Sequence, residues 1–157
     1  MKKINNWIGA IEVISFLLLL WQIALFSKIY SILPDNVPIE ILHRSITVPD
    51  AKTLFLVLFL VGMVIYGLLF LLKRFPRLVQ YPVKITPGNI DRQSKLYRLA
   101  MSILTFLAMA MVDILMYNLY LNVSAGETRR NTFMIGVIIV LMVADLLVYL
   151  WLARKNK

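Results

Sequence analysis

Four apolar segments, each long enough to cross a bilayer, constrain the fold of this chain more than any other feature. They cover residues 7–27, 53–72, 99–121 and 132–153. A membrane-spanning helix needs about 20 mostly apolar residues, because each residue adds about 1.5 Å along the helix axis. The four segments take up more than half of the 157 residues. We therefore expect an all-α integral membrane protein with four transmembrane helices, folded as a single transmembrane domain over residues 1–157.

The first apolar segment follows two lysines, as the core of a signal peptide does. It is longer than the roughly 7–15 residues of such a core, and no small-residue cleavage site follows it. Bulky residues, among them Phe26 and Tyr30, occupy the positions where cleavage would occur. We expect the first helix to be retained.

The basic residues are divided unevenly between the two sides of the predicted bundle. Of the 17 Lys and Arg residues, 12 lie before the first segment, between the second and third, or after the fourth. Cytoplasmic loops of membrane proteins carry the excess of Lys and Arg. The distribution predicts both termini and the second loop inside, in a multi-pass protein of the cell (cytoplasmic) membrane. It also explains the net charge of +9, so we expect no nucleic-acid partner.

Prolines divide both long loops. The outer loop, residues 31–52, contains Pro34, Pro38 and Pro49. Proline fixes φ and removes a hydrogen-bond donor, so we expect this loop to be bent and non-helical. The basic inner loop, residues 73–97, turns helical at its end. Thr86 is a candidate cap and Pro87 suits a first helical position, so the third helix is predicted to begin near Pro87.

Both loops carry a pattern of a known family. The inner loop reads Tyr81-Pro82-Val83-Lys84-Ile85-Thr86-Pro87, followed by Asn89, Arg92 and Gln93, and the outer loop reads Leu33-Pro34-Asp35-Asn36-Val37-Pro38. Residues 29–120 resemble the bacterial domain of unknown function 1648, which is also found in the SdpI immunity-protein family. Glu40 occupies the position where that family has a histidine, and His43 lies three positions later. The resemblance implies a bacterial membrane protein linked to toxin immunity or signalling, and no established reaction.

Three acidic residues lie inside the predicted spans: Glu12, Asp113 and Asp145. An acid at mid-bilayer costs about 2.5–3.5 kcal/mol on insertion scales, and such residues usually face the bundle interior or a wet cavity. No Lys or Arg lies within the predicted spans to neutralise them. One interpretation is a proton-linked or cation path that also uses Gln22 and Asn118. The other is that these are protonated or hydrogen-bonded packing residues, with Glu12 reaching the interface.

The loops offer candidate recognition surfaces. Outer-loop recognition of an extracellular peptide is assigned to Pro34, Asp35, Pro38, Glu40 and Asp50. Carboxylates with His43 also suit a divalent ion, but a single histidine is a weak signal and we predict no metal and no cofactor. The basic inner loop has three interpretations: it sets topology alone, binds anionic lipid, or docks a cytoplasmic regulatory protein.

Enzymatic activity is not expected from this sequence. It contains no phosphate-binding glycine loop and no HExxH motif. Ser15, Ser102 and Thr105 lie in spans with no paired base apparent, and a nucleophile needs one. The sequence therefore predicts a non-enzymatic binding protein of the immunity or signalling type. The alternative is a small transporter or proton-coupled protein that uses the intramembrane acids.

Overall fold

The computed structural model describes residues 2–33, 36–41, 44–49, 51–75, 81–125 and 132–155, with the side chains of 4–33, 52–75, 81–121 and 133–155. In these ranges the elements are, in order, α1 (Lys2–Ile29), β1 (Asn36–Ile41), β2 (Arg44–Pro49), α2 (Ala51–Arg74), α3 (Ile90–Ala125) and α4 (Thr132–Lys155). All four helices are long and apolar enough to cross a membrane. The prediction of a multi-pass helical membrane protein is confirmed, and each predicted segment lies inside an observed helix.

Contacts between the helices show that consecutive helices run antiparallel. Glu12 near the start of α1 meets Lys73 at the end of α2, whereas Phe26 stacks on Phe55 at the opposite ends. Tyr97 near the start of α3 packs edge-on against Tyr149 near the end of α4. One end of the bundle therefore holds the starts of α1 and α3 and the ends of α2 and α4. We call it the basic end, and the opposite end the hairpin end.

Helix α3 is the centre of the bundle. It contacts all three other helices and also β1. Half of its most apolar window is buried inside the protein, compared with 22% for α1, 11% for α2 and 6% for α4. Its buried positions include small and polar residues as well as large apolar ones. Small residues suit this role, because without a hydrophobic force between helices in lipid, close packing drives their association.

Two apolar clusters hold the bundle together at its two ends. The hairpin-end cluster comprises Leu25, Ile29, Leu33, Phe55, Val112, Met116 and Leu119. The basic-end cluster comprises Tyr97, Ala100, Tyr149 and Ala153. The first joins α1, α2 and α3, whereas the second joins α3 to α4. Outside these contacts, α4 leaves most of its apolar surface exposed, as expected of a helix that faces lipid.

The outer loop, which its prolines predicted to be bent and non-helical, contains two strands among its described residues. Strands β1 and β2 pair antiparallel, with Asn36 opposite Pro49 and Ile41 opposite Arg44. A two-stranded sheet tolerates proline because each strand has a free edge, where the missing N–H removes no ladder bond. The overlooked signal is the alternation of Val37, Ile39 and Ile41 with other residues, a period of two with β-branched side chains. Residues 36–41 and 44–49 are therefore extended and paired, a detail that the prolines did not predict.

The start of α3 also differs from the prediction by three residues. The helix begins at Ile90 rather than near Pro87, and the turn before it is organised by Asn89 rather than by the Thr86 hydroxyl. The Thr86 backbone N–H donates to Asn89 Oδ1 at 2.8 Å, and Asn89 Nδ2 donates to the Lys84 carbonyl at 3.1 Å. Asparagine side chains stabilise turns in this way, and this one directs the inner loop into the helix.

Candidate functional site

Glu12 lies at the point where three helices converge near the basic end. Lys73 Nζ on α2 lies 3.4 Å from Glu12 Oε1, and Ser102 Oγ on α3 donates to the same oxygen at 3.4 Å. The Lys73 residue is only 7% exposed, whereas the Glu12 side chain is 45% exposed. The carboxylate is therefore exposed on one side and fixed by two polar groups on the other.

The pairing of Glu12 with Lys73 corrects two expectations from the sequence. No basic residue was expected within the spans, but α2 continues through Arg74 and keeps Lys73 in its last turn. Ser102 was expected to have no partner, but its hydroxyl reaches Glu12. Lysine achieves this geometry because its aliphatic stem packs among apolar groups while the ammonium reaches a polar partner. Since helix ends cannot be located to the residue from hydropathy, sequence reasoning missed this contact.

Two adjoining clefts open beside Glu12, and together we call them the basic-end cleft. The larger has a volume of about 420 Å³ and lies between α1 and α3, next to Asp91, Lys95 and Arg98. The smaller has a volume of about 180 Å³ and extends between α1 and α2 to Lys73 and Arg74. Ile8, Glu12 and Arg98 line both. The cleft therefore brings together charged residues that are up to 86 positions apart in the chain.

The other two intramembrane acids do not join Glu12. Asp113 on α3 is 7% exposed, and neither of its carboxyl oxygens has a hydrogen-bond partner among the described residues. Asp145 on α4 is half-buried, and its Oδ2 also has no hydrogen-bond partner among the described residues. The sequence grouped the three acids as one path, whereas Glu12 lines the basic-end cleft and Asp113 and Asp145 do not. Buried polar groups without partners are uncommon in folded proteins, so Asp113 remains a candidate functional residue.

Gln22, which the sequence grouped with these acids, has a structural contact instead. Its side chain is fully buried, and Nε2 donates to the Phe59 carbonyl of α2 at 3.2 Å. Asn118, the other residue in that group, is half-buried on α3. Gln22 thus joins α1 to α2 through a side chain–backbone hydrogen bond, a type of contact that stabilises helix pairs in membranes.

The residues of the inner-loop motif mostly pack against helix ends. Tyr81 meets Tyr97 edge-on, with ring centroids 5.9 Å apart, and Val83 is buried. Gln93 is fully buried, and its Nε2 donates to the Ala153 carbonyl on α4 at 3.0 Å. By contrast, Pro82, Thr86 and Arg92 are exposed, and Asn89 is half-buried where it organises the turn. The motif residues therefore pack the inner loop and α4 against α3.

The predicted outer-loop recognition residues are only partly placed. Pro38 and Glu40 lie in β1, opposite Thr47 and Ser45 respectively. Pro34, Asp35, His43 and Asp50 lie outside the described residues. Among the residues that the structure does describe, no three His, Cys, Asp or Glu side chains lie close enough together to hold a metal ion.

Comparisons of this chain with known proteins found no match. The chain matches no family model, no curated protein and no solved structure.

Proposed function

We propose that this chain is a non-enzymatic binding protein of the cell (cytoplasmic) membrane, of the immunity or signalling type, and that its ligand site is the basic-end cleft. The observation that carries the proposal is the position of Glu12. Its carboxylate lies where the two clefts meet, fixed by Lys73 and Ser102 from two other helices. Binding sites are typically concave, with a few polar groups fixed on rigid elements.

The distribution of basic residues supports a cytoplasmic position for this cleft. The basic end holds the starts of α1 and α3 and the ends of α2 and α4. In the sequence, the segments that flank these helix ends carry 12 of the 17 Lys and Arg residues. The positive-inside rule assigns such an end to the cytoplasm. A ligand of the cleft is then a cytoplasmic solute, a lipid of the inner leaflet or a segment of a cytoplasmic protein.

Occupancy of the cleft is measurable because the chain has no cysteine. Ser94 lines the larger cleft, and Ser94→Cys is nearly isosteric. We expect an uncharged, membrane-impermeant maleimide to label this thiol several-fold more slowly in inside-out native membrane vesicles than in the purified protein, because the native ligand blocks access. Gly9→Cys gives a second probe across the cleft, since no atom lies within 4 Å of a Cβ at this position.

Arg154→Cys is the matched control, because Arg154 is exposed at the basic end outside the cleft. Its labelling rate is expected to be the same in vesicles and in purified protein. Equal rates in the two preparations for both Ser94→Cys and Gly9→Cys would show an empty cleft and refute the proposal.

A proton-coupled role is the second candidate, and Asp113 is the observation that favours it. A nearly buried carboxyl group that has no hydrogen-bond partner among the described residues is costly in a membrane bundle, and such groups mark proton or ion pathways. The test is proton flux in proteoliposomes under an imposed membrane potential, followed with an internal pH-sensitive dye. We expect the wild type to show proton flux. We expect Asp113→Asn and Asp145→Asn to abolish this flux without changing membrane insertion. Flux unaltered by both substitutions excludes this role.

A further inference from the structure

The basic-end cleft has an excess of positive charge. Four basic side chains line it, those of Lys73, Arg74, Lys95 and Arg98, compared with the two acids Glu12 and Asp91. Glu12 and Lys73 compensate each other at 3.4 Å. Three cations and one acid remain to face the open space, so the cleft favours an anion over a cation.

The types of basic residue narrow the class of anion. Arg74 and Arg98 come from different helices, and Arg98 lines both parts of the cleft. The planar guanidinium group matches the geometry of phosphate oxygens, with which it forms paired, charge-assisted hydrogen bonds. The part of about 420 Å³, which Lys95 and Arg98 line, falls within the usual range of small-ligand sites, whereas Arg74 lines the part of about 180 Å³.

Aromatic residues place the cleft at the depth of lipid headgroups. Trp7 on α1 is 66% exposed and directly precedes Ile8 and Gly9, which line the cleft. Trp151 is 59% exposed at the same end of α4, with Lys155 Nζ 4.9 Å from its ring centroid. Tryptophans are enriched at the membrane–water interface, and basic pockets between helices at this level bind phospholipid headgroups.

We propose that the basic-end cleft binds a phosphate-bearing anion, with Arg98, which lines both parts of the cleft, as its principal contact. This inference rests on the proposed function and names the class of ligand for the same cleft. Two sources present the same chemistry: the headgroup of an anionic phospholipid, and a soluble phosphate compound of the cytoplasm.

The test uses full-length Ser94→Cys protein in nanodiscs and the maleimide described above. The three preparations are phosphatidylcholine alone, phosphatidylcholine with phosphatidylglycerol, and phosphatidylcholine with free inorganic phosphate. Slower labelling with phosphatidylglycerol assigns the site to lipid. Labelling that is slowed by free phosphate but not by phosphatidylglycerol assigns the site to a soluble ligand. Arg154→Cys controls for a general effect of the anionic surface on the reagent.

Two charge variants then locate the contact. Arg98→Gln removes a cation that lines the cleft. Arg154→Gln removes an exposed cation on α4, at the same end of the bundle, that does not line the cleft. Each interfacial basic residue changes the affinity for an anion about fivefold. We therefore expect Arg98→Gln to weaken the protection of the Ser94→Cys thiol by that factor, and Arg154→Gln to leave this protection unchanged. Equal effects of both variants overturn the inference, because they indicate diffuse attraction to the surface. Protection in native membranes that neither phosphatidylglycerol nor phosphate reproduces also overturns it, but leaves the proposed function intact.

Discussion

The Gln22 side chain on α1 fills the space that a Cβ at residue 62 of α2 would need. An ideal Cβ built on Gly62 overlaps the Gln22 amide nitrogen, oxygen and carbon. The amide is held there by its hydrogen bond to the Phe59 carbonyl. A missing side chain on one helix therefore makes room for a polar contact from the other.

Gly62→Ala is expected to be about 1 kcal/mol less favourable than a Gly→Ala change that meets no side chain, because it disrupts one hydrogen bond. The added methyl group displaces the buried Gln22 amide from its backbone partner. Gly67→Ala on the same helix is the control, since no atom lies within 4 Å of its Cβ, and alanine favours the helix. The measurement is thermal unfolding in mild detergent. In a Gln22→Ala background, Gly62→Ala should lose its cost. If the cost persists there, the contact is not its cause.

The Glu12–Lys73 pair is expected to respond asymmetrically to the loss of either partner. Glu12→Gln leaves a nearly buried ammonium without its counter-charge, whereas Lys73→Gln leaves a half-exposed carboxylate that keeps its hydrogen bond from Ser102. We expect about 1–3 kcal/mol of destabilisation for the first and less for the second. The double variant should cost less than the sum of the two singles. Strict additivity in unfolding measurements would show that the pair makes no net interaction.

The hydrogen bond from Gln93 to Ala153 is expected to hold the end of α4 in place. Gln93→Leu keeps similar volume but removes the donor and leaves a carbonyl of the last turn of α4 without this partner. We expect a loss of about 1 kcal/mol and faster hydrogen exchange confined to the last turns of α4. Arg92→Leu, at the neighbouring exposed position, is the control. Unchanged exchange in α4 with Gln93→Leu contradicts this role.

The orientation of the bundle is tested with two single-cysteine variants. Lys84→Cys marks the inner loop and Glu40→Cys marks the hairpin, on opposite ends of α2. The positive-inside rule predicts that an impermeant maleimide labels Glu40→Cys in intact cells and Lys84→Cys only after the membrane is opened. The reverse pattern would place the basic-end cleft outside the cell. It would leave the structure unchanged but exclude a cytoplasmic ligand.

Photo-crosslinking from the same two positions tests the recognition hypotheses for the loops. We expect that a photoreactive residue at Glu40 captures an extracellular peptide if the hairpin acts in immunity, and that one at Lys84 captures a cytoplasmic regulatory protein if the inner loop acts in signalling. Adducts from neither position in native membranes would contradict both roles. The basic-end cleft and Asp113 would then be the remaining candidates.

The amino-acid sequence by itself determined the four membrane-spanning helices and the basic character of one end. Both are local properties, since the apolarity of about 20 consecutive residues decides membrane insertion and the flanking charges are counted directly. Only the tertiary structure decided that Lys73 meets Glu12, that α3 is central, and that Asp113 and Asp145 lie apart from the cleft. These relationships depend on the rotation of each helix about its axis. That rotation is fixed by contacts such as Gln22 with Gly62, 40 positions apart, and a uniformly apolar helix carries no local signal for it.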